Sequence, residues 1–359
     1  MRRGLMGWDP QELPKSALHE RLSRLQAAMA RENIDAMLFY TNLVRPSAVC
    51  WLTGFTPYWI ESLLLVHRTG APILATALSK RVSEWIKSTS WLEEIVNTPR
   101  PGMAIGERLK ADGCQRVGVL ELDALPAGSY DDLGAAAPGV EFVDASKLFA
   151  ECRRIIDTTE RKLIEHADAI TCAALDCVDV AQARDAGALL GLIEKHARLA
   201  GAEESYMAVA PNLDADRRLI RVSGASPLAA RFAVRTSVAY KGNWVRRTRT
   251  FARDSAHMQA LGRADAWLTG FASSVAAGVP LTEQLAASLK ALPGAELKSW
   301  MAESSIGSYP LEVVTSSRHR GADELSHGSF VVLSVELVIE GMPWLGAVPA
   351  FVESVRQHL

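Results

Sequence analysis

Residues 232–251 (Phe-Ala-Val-Arg-Thr-Ser-Val-Ala-Tyr-Lys-Gly-Asn-Trp-Val-Arg-Arg-Thr-Arg-Thr-Phe) read as two strands around a turn. Val234, Val238 and Tyr240 recur with mostly period-two spacing, and Lys241-Gly242-Asn243 is a turn signal. Trp244, Thr248, Thr250 and Phe251 suit the return strand. The hairpin is also basic, carrying Arg235, Arg246, Arg247 and Arg249.

The chain around it has 359 residues, enough for two domains with their own cores. With 48% hydrophobic residues, 22% charged residues and a net charge of -2, the profile is that of an ordinary soluble globular protein. That balance gives no reason to expect nucleic acid or an anionic membrane as partner. Five scattered cysteines without a CxxC pair suit free thiols in a reducing, cytoplasmic setting. The first residues carry Arg2 and Arg3 but no apolar core, so no signal peptide is expected. No apolar run approaches the roughly 18 residues of a membrane span.

In order, 18–31 is an amphipathic helix with Leu18, Leu22, Leu25 and Met29 on one face. Residues 34–40 and 48–55 read as strands, the second ending in a turn, and 62–67 and 72–77 are shorter apolar runs. Helices are expected over 79–88 and 103–112, strands over 116–121 and 140–143, and a loop over 134–139. This alternation argues an α/β layered domain. Asp157-Thr-Thr-Glu160 is a good helix start, and a long helix follows to about 180, with a second over 185–200. Further strands and helices over 255–277 and 282–292 make the second half α+β.

The hairpin's ending, Thr248-Arg249-Thr250-Phe251 after Gly242, resembles the metal-site hairpin of the creatinase/prolidase/aminopeptidase P family, the pita-bread fold. The segments Asn33-Ile-Asp-Ala-Met-Leu-Phe-Tyr40 and Cys50-Trp-Leu-Thr-Gly-Phe55 resemble the same family's N-terminal domain. The resemblance runs from about residue 18 to about residue 355. It implies an α/β N-terminal creatinase-like domain over 1–152, an α+β pita-bread domain over 153–359, and a homodimer. In that family two aspartates, eleven residues apart on the hairpin, a histidine and two glutamates hold a pair of divalent metals that activate a water. Here the aspartate positions fall on Arg235 and Arg246, and the histidine position on Ser304. Glu336 matches the first glutamate, and the last falls on Val348. Creatinase itself works without metal through a histidine, but that position falls near Arg217; a further family histidine falls on Leu311, beside a retained Glu312.

The resemblance thus implies no metal and no other cofactor. It leaves a constellation of Arg217, Arg235 and Arg246 with candidate catalytic groups Glu312, Glu336 and Ser304. Trp244, and Tyr58-Trp59 after the Thr53-Gly54-Phe55 turn, are candidate pocket walls. Two readings stand. In one, the arginines neutralise the remaining carboxylates and the pocket is a relic, leaving a pseudopeptidase that serves as a binding or partner subunit, also as a heterodimer with an active paralogue. In the other, the inverted charge binds a small anionic or carboxylate-bearing metabolite, with metal-independent C–N bond hydrolysis as the family-derived reaction and a lyase as its variant. The expected geometry has Arg235 and Arg246 facing one cavity with at least one of them on Glu336, and a net positive pocket.

Overall fold

The computed structural model describes residues 8–57, 60–222, 224–304, 317–319 and 325–354. It divides into two compact units, one ending at Arg154 and one formed by Ile155–Ser304 with the chain from Ser317 on.

The first unit is a six-stranded mixed sheet. Its elements are α1 (Lys15–Arg31), β1 (Ala36–Thr41), α2 (Ser47–Thr53), β2 (Ser62–His67), β3 (Ile73–Thr76), α3 (Ser83–Thr89), β4 (Glu94–Asn97), α4 (Pro101–Ala111), β5 (Arg116–Val119), α5 (Ala127–Ala136), β6 (Glu141–Asp144) and α6 (Ser146–Arg154). Strand order is β4-β3-β2-β1-β5-β6. Every residue of β1 is buried, as expected of a strand covered on both faces. Ala36, Leu38 and Tyr40 meet Ile105, Leu109 and Leu133 of α4 and α5. On the other face Phe39 meets Phe149 of α6 edge to face, and Trp51 of α2 does the same.

The expected strand over 48–55 is a helix, α2. Its seven residues are all buried, and Gly54, at φ 74°, closes it by donating to the Cys50 carbonyl at 2.8 Å. A short apolar run carries no period that separates strand from buried helix. The expected loop over 134–139 likewise begins inside α5, which runs through Ala136.

The second unit contains α7 (Thr158–Asp176), α8 (Ala186–Leu199), β7 (Glu204–Ala210), β8 (Arg231–Tyr240), β9 (Asn243–Ala252), α9 (Ser255–Ala272), α10 (Leu281–Leu289), β10 (Ala295–Ser304), β11 (Ser317–His319), β12 (Phe330–Ile339) and β13 (Met342–Phe351). Asp157 caps α7 by accepting from the Glu160 N–H at 2.7 Å. The sheet order is β11-β10-β12-β13-β9-β8-β7, and each neighbouring pair is antiparallel. Lys241 and Gly242 both have positive φ, 46° and 75°, which joins β8 to β9 by the two-residue turn whose twist matches the strands.

Strand alternation sorts the sheet's side chains. Val234, Val238 and Phe251 join the core with α7 and α8, and Val331, Leu333, Val335 and Leu337 the core with α9 and α10. Alternate residues, among them Arg235, Arg246, Glu303 and Glu336, therefore lie on the opposite face.

Candidate functional site

Register fixes which of these groups can meet. Arg235 of β8 is opposite Thr248 of β9, Thr248 opposite Ala347 of β13, and Ala347 opposite Ser334 of β12. One row to one side stand Ser237 and Arg246, then Pro349, Val332 and Glu303. One row to the other side stand Ala233 and Thr250, then Leu345, Glu336 and Ser299. Arg246 and Glu336 are thus two rows apart, about 13 Å along the strands.

The ion pairs follow this order. Arg246, 5% exposed, pairs through Nη1 with Oε2 of Glu303, 1% exposed. Glu336 is held instead by Arg217, Nη1 to Oε1 at 2.7 Å, and accepts from Ser299 Oγ at 3.1 Å. Arg217 comes from the loop between β7 and β8, and this pair is far more open, with side-chain exposures of 41% and 24%. The expected pairing of Glu336 with Arg235 or Arg246 is therefore wrong, because register sets Glu303 and not Glu336 in the row of Arg246. The face is not simply positive either. Glu303 and the buried Glu204 lie on it with Arg235 and Arg246, so carboxylates match guanidiniums there.

Other candidates separate. Ser304 ends β10, five residues beyond Ser299, so it stands about 17 Å along the strand from the Glu336 row. By alternation it also points to the face opposite Glu303. Val348 lies in the α9 core, whereas its neighbours Ala347 and Pro349, with Leu345, are on the Glu336 face. Trp244 is buried and stacks on Tyr206 of β7 with ring centroids 5.4 Å apart, while the Arg221 guanidinium lies 4.9 Å over that Tyr206 ring. It is a wall of the sheet. Glu312, Tyr58 and Trp59 lie outside the described residues. Arg247 and Arg249 emerge on the helix face. Arg247 donates to both oxygens of Asp168 on α7 at 2.5 and 2.8 Å, and Arg249 to Asp176 at 2.7 Å.

Sequence reasoning missed Glu303. Its signal was its place immediately before Ser304, but its partner is set by cross-strand register. It missed Asp265 of α9 too, which accepts from Trp344 Nε1 at 2.9 Å and lines a cavity of about 240 Å³ with Arg247 and Arg249. Burial pushes its carboxyl up to about 6, against the opposing pull of the Trp344 hydrogen bond and the two arginines.

The residues present do not fit a dinuclear metal centre. Arg235 and Arg246 stand at the two hairpin positions that the resemblance gives to the aspartates, Arg246 is ion-paired with a buried carboxylate, and a cation pair needs anionic oxygens there. Among the described residues no three His, Cys, Asp or Glu side chains converge as a metal site. No described helix is long and apolar enough to cross a membrane.

The model of the creatinase/prolidase N-terminal domain matches residues 21–155. No curated protein matches the chain at the sequence level. Among solved structures, the Xaa-Pro dipeptidase from Bacillus anthracis superposes with a TM-score of 0.70 at 20% identity, covering 94% of this chain and 95% of that one. The X-Pro aminopeptidase from Thermotoga maritima does so with a TM-score of 0.68 at 16% identity, over 93% and 95% of the two chains. The prolidase from Pyrococcus furiosus gives 0.64 at 15% identity, over 93% and 96%. The chain thus carries a creatinase/prolidase N-terminal domain over residues 21–155 and has the pita-bread fold of these peptidases over nearly its whole length.

Proposed function

We propose that this chain is a pseudopeptidase, a non-catalytic pita-bread protein that acts as a binding or partner subunit, as a homodimer or beside an active paralogue. The observation that carries this reading is the buried Arg246–Glu303 pair. It sets a cation where the family's chemistry needs a carboxylate, and it commits that cation to a second buried group. Water held by such a face keeps an ordinary pKa near 15.7 instead of the roughly 7 that a bound metal provides. The test is twofold. After dialysis against a weak chelator, elemental analysis is expected to find no stoichiometric Mn, Zn, Co or Fe. Xaa-Pro dipeptides are expected to stay intact with or without added Mn. Two metals per chain, or turnover abolished by chelator, refutes the reading.

A second reading rests on the open pair of Arg217 with Glu336 and Ser299. A half-exposed guanidinium can exchange a protein carboxylate for one on a small molecule, and metal-independent cleavage of a C–N bond is the reaction that the family resemblance suggests. It predicts that Arg217→Ala abolishes binding of a small carboxylate-bearing compound with little change in melting temperature. An unchanged affinity removes it.

A further inference from the structure

We propose that the N-terminal domain carries a binding cleft for a small organic anion, formed where α1 and α6 meet the β6 end of the sheet. The proposal is independent of the reading given above for the C-terminal unit. The cleft measures about 450 Å³, inside the range of ligand pockets, and its lining includes the apolar side chains of Ala28, Val143 and Leu148 with the Cys152 thiol. Its rim carries Arg24, Arg31, Arg116 and Lys147 against Glu32, Asp144 and Glu151, so cations exceed carboxylates.

The state of these charges sharpens the assignment. Asp144 is engaged at the start of α6, accepting from Ser146 Oγ at 2.6 Å and from the Leu122 N–H at 3.3 Å. Arg116 is held by the Glu32 carbonyl at 2.8 Å and by Glu141 at 3.4 Å. The Arg24 guanidinium lies 5.7 Å over the Trp51 ring. Arg31 and Lys147, by contrast, make no ion pair among the described residues, and both are exposed at the rim. Arg24 and Arg31 lie two turns apart on α1, about 10 Å along its axis. A molecule with a carboxylate or phosphate monoester head and an apolar body satisfies both features: the head meets Arg31 and Lys147, and the body covers the apolar lining. A bare inorganic anion satisfies only the first.

Calorimetric titration of the full chain at low salt, with octanoate, phenyl phosphate and inorganic phosphate as probes, tests this. At least one organic anion is expected to bind tenfold or more tightly than inorganic phosphate, and which one binds identifies the head group. A double Arg31→Glu, Lys147→Glu variant is expected to lose at least tenfold in affinity for that probe. The proposal is overturned if neither organic anion exceeds inorganic phosphate, or if the variant binds as the parent does. Should the variant misfold, the parent protein still decides. The probe must slow alkylation of Cys152 at least several-fold while leaving Cys177 unaffected, and an unprotected Cys152 overturns the proposal.

Discussion

Two ion pairs on one face of the same sheet differ in consequence because of their burial. Removing the guanidinium by Arg246→Ala leaves Glu303 charged in the interior, and chemical denaturation is expected to show a loss of about 3 kcal/mol or more. Glu336→Ala acts on a pair open to water, and its effect is expected to stay under about 1 kcal/mol. Equal losses in the two variants would show that burial is not the deciding term. Asp265 gives a prediction with a pH signature. From its ordinary value of 3.8 in the unfolded chain, burial pushes the carboxyl up to about 6 in the fold, so folding takes up a proton between these values. Below that window the group contributes no penalty; as pH rises through it, the folded state must carry a buried charge and stability falls. Asp265→Asn keeps an acceptor for Trp344 Nε1 and is expected to stabilise the protein at pH 7 by on the order of 2 kcal/mol, with the gain vanishing near pH 4. A gain that is the same at both pH values would contradict the raised carboxyl.

At the scale of elements, caps and close approaches matter more than propensity. The Asp157 carboxylate closes the start of α7, and Asp157→Ala is expected to cost about 1 kcal/mol in thermal or denaturant unfolding. Gly346 of β13 has no room for a methyl group. A Cβ there would lie 2.1 Å from the ring of Trp344 and 2.9 Å from Leu268. Trp344 is fully buried and hydrogen-bonded to Asp265, so it cannot swing aside without losing that bond. Gly346→Ala is therefore expected to destabilise by about 1–3 kcal/mol, the range for overpacking. A neutral effect would mean that the indole has an alternative rotamer.

For the molecule as a whole, each unit has its own hydrophobic core. Leu38, Leu65, Ile105 and Val117 centre the first, and Leu268, Leu333, Leu337 and Trp344 lie at the heart of the second. A chain ending at Arg154 is accordingly expected to fold alone with a cooperative transition and dispersed amide resonances. An unfolded fragment would show that the first core depends on the rest of the protein.

Local chemistry made much of this legible in advance. The Lys241-Gly242 turn, the paired strands around it and the Asp157 helix start follow from short-range geometry, which neighbours in the chain supply by themselves. Helix α2 escaped because a short, mostly apolar run buries equally well as helix or strand, and only the space between β1 and α6 chooses. The partners of the arginines escaped for a deeper reason. Arg246 meets a glutamate 57 residues away, and Arg217 one 119 residues away. These choices depend on which row of the sheet each side chain occupies. A register is set by the joint burial of every strand's apolar face, which no single segment of sequence contains.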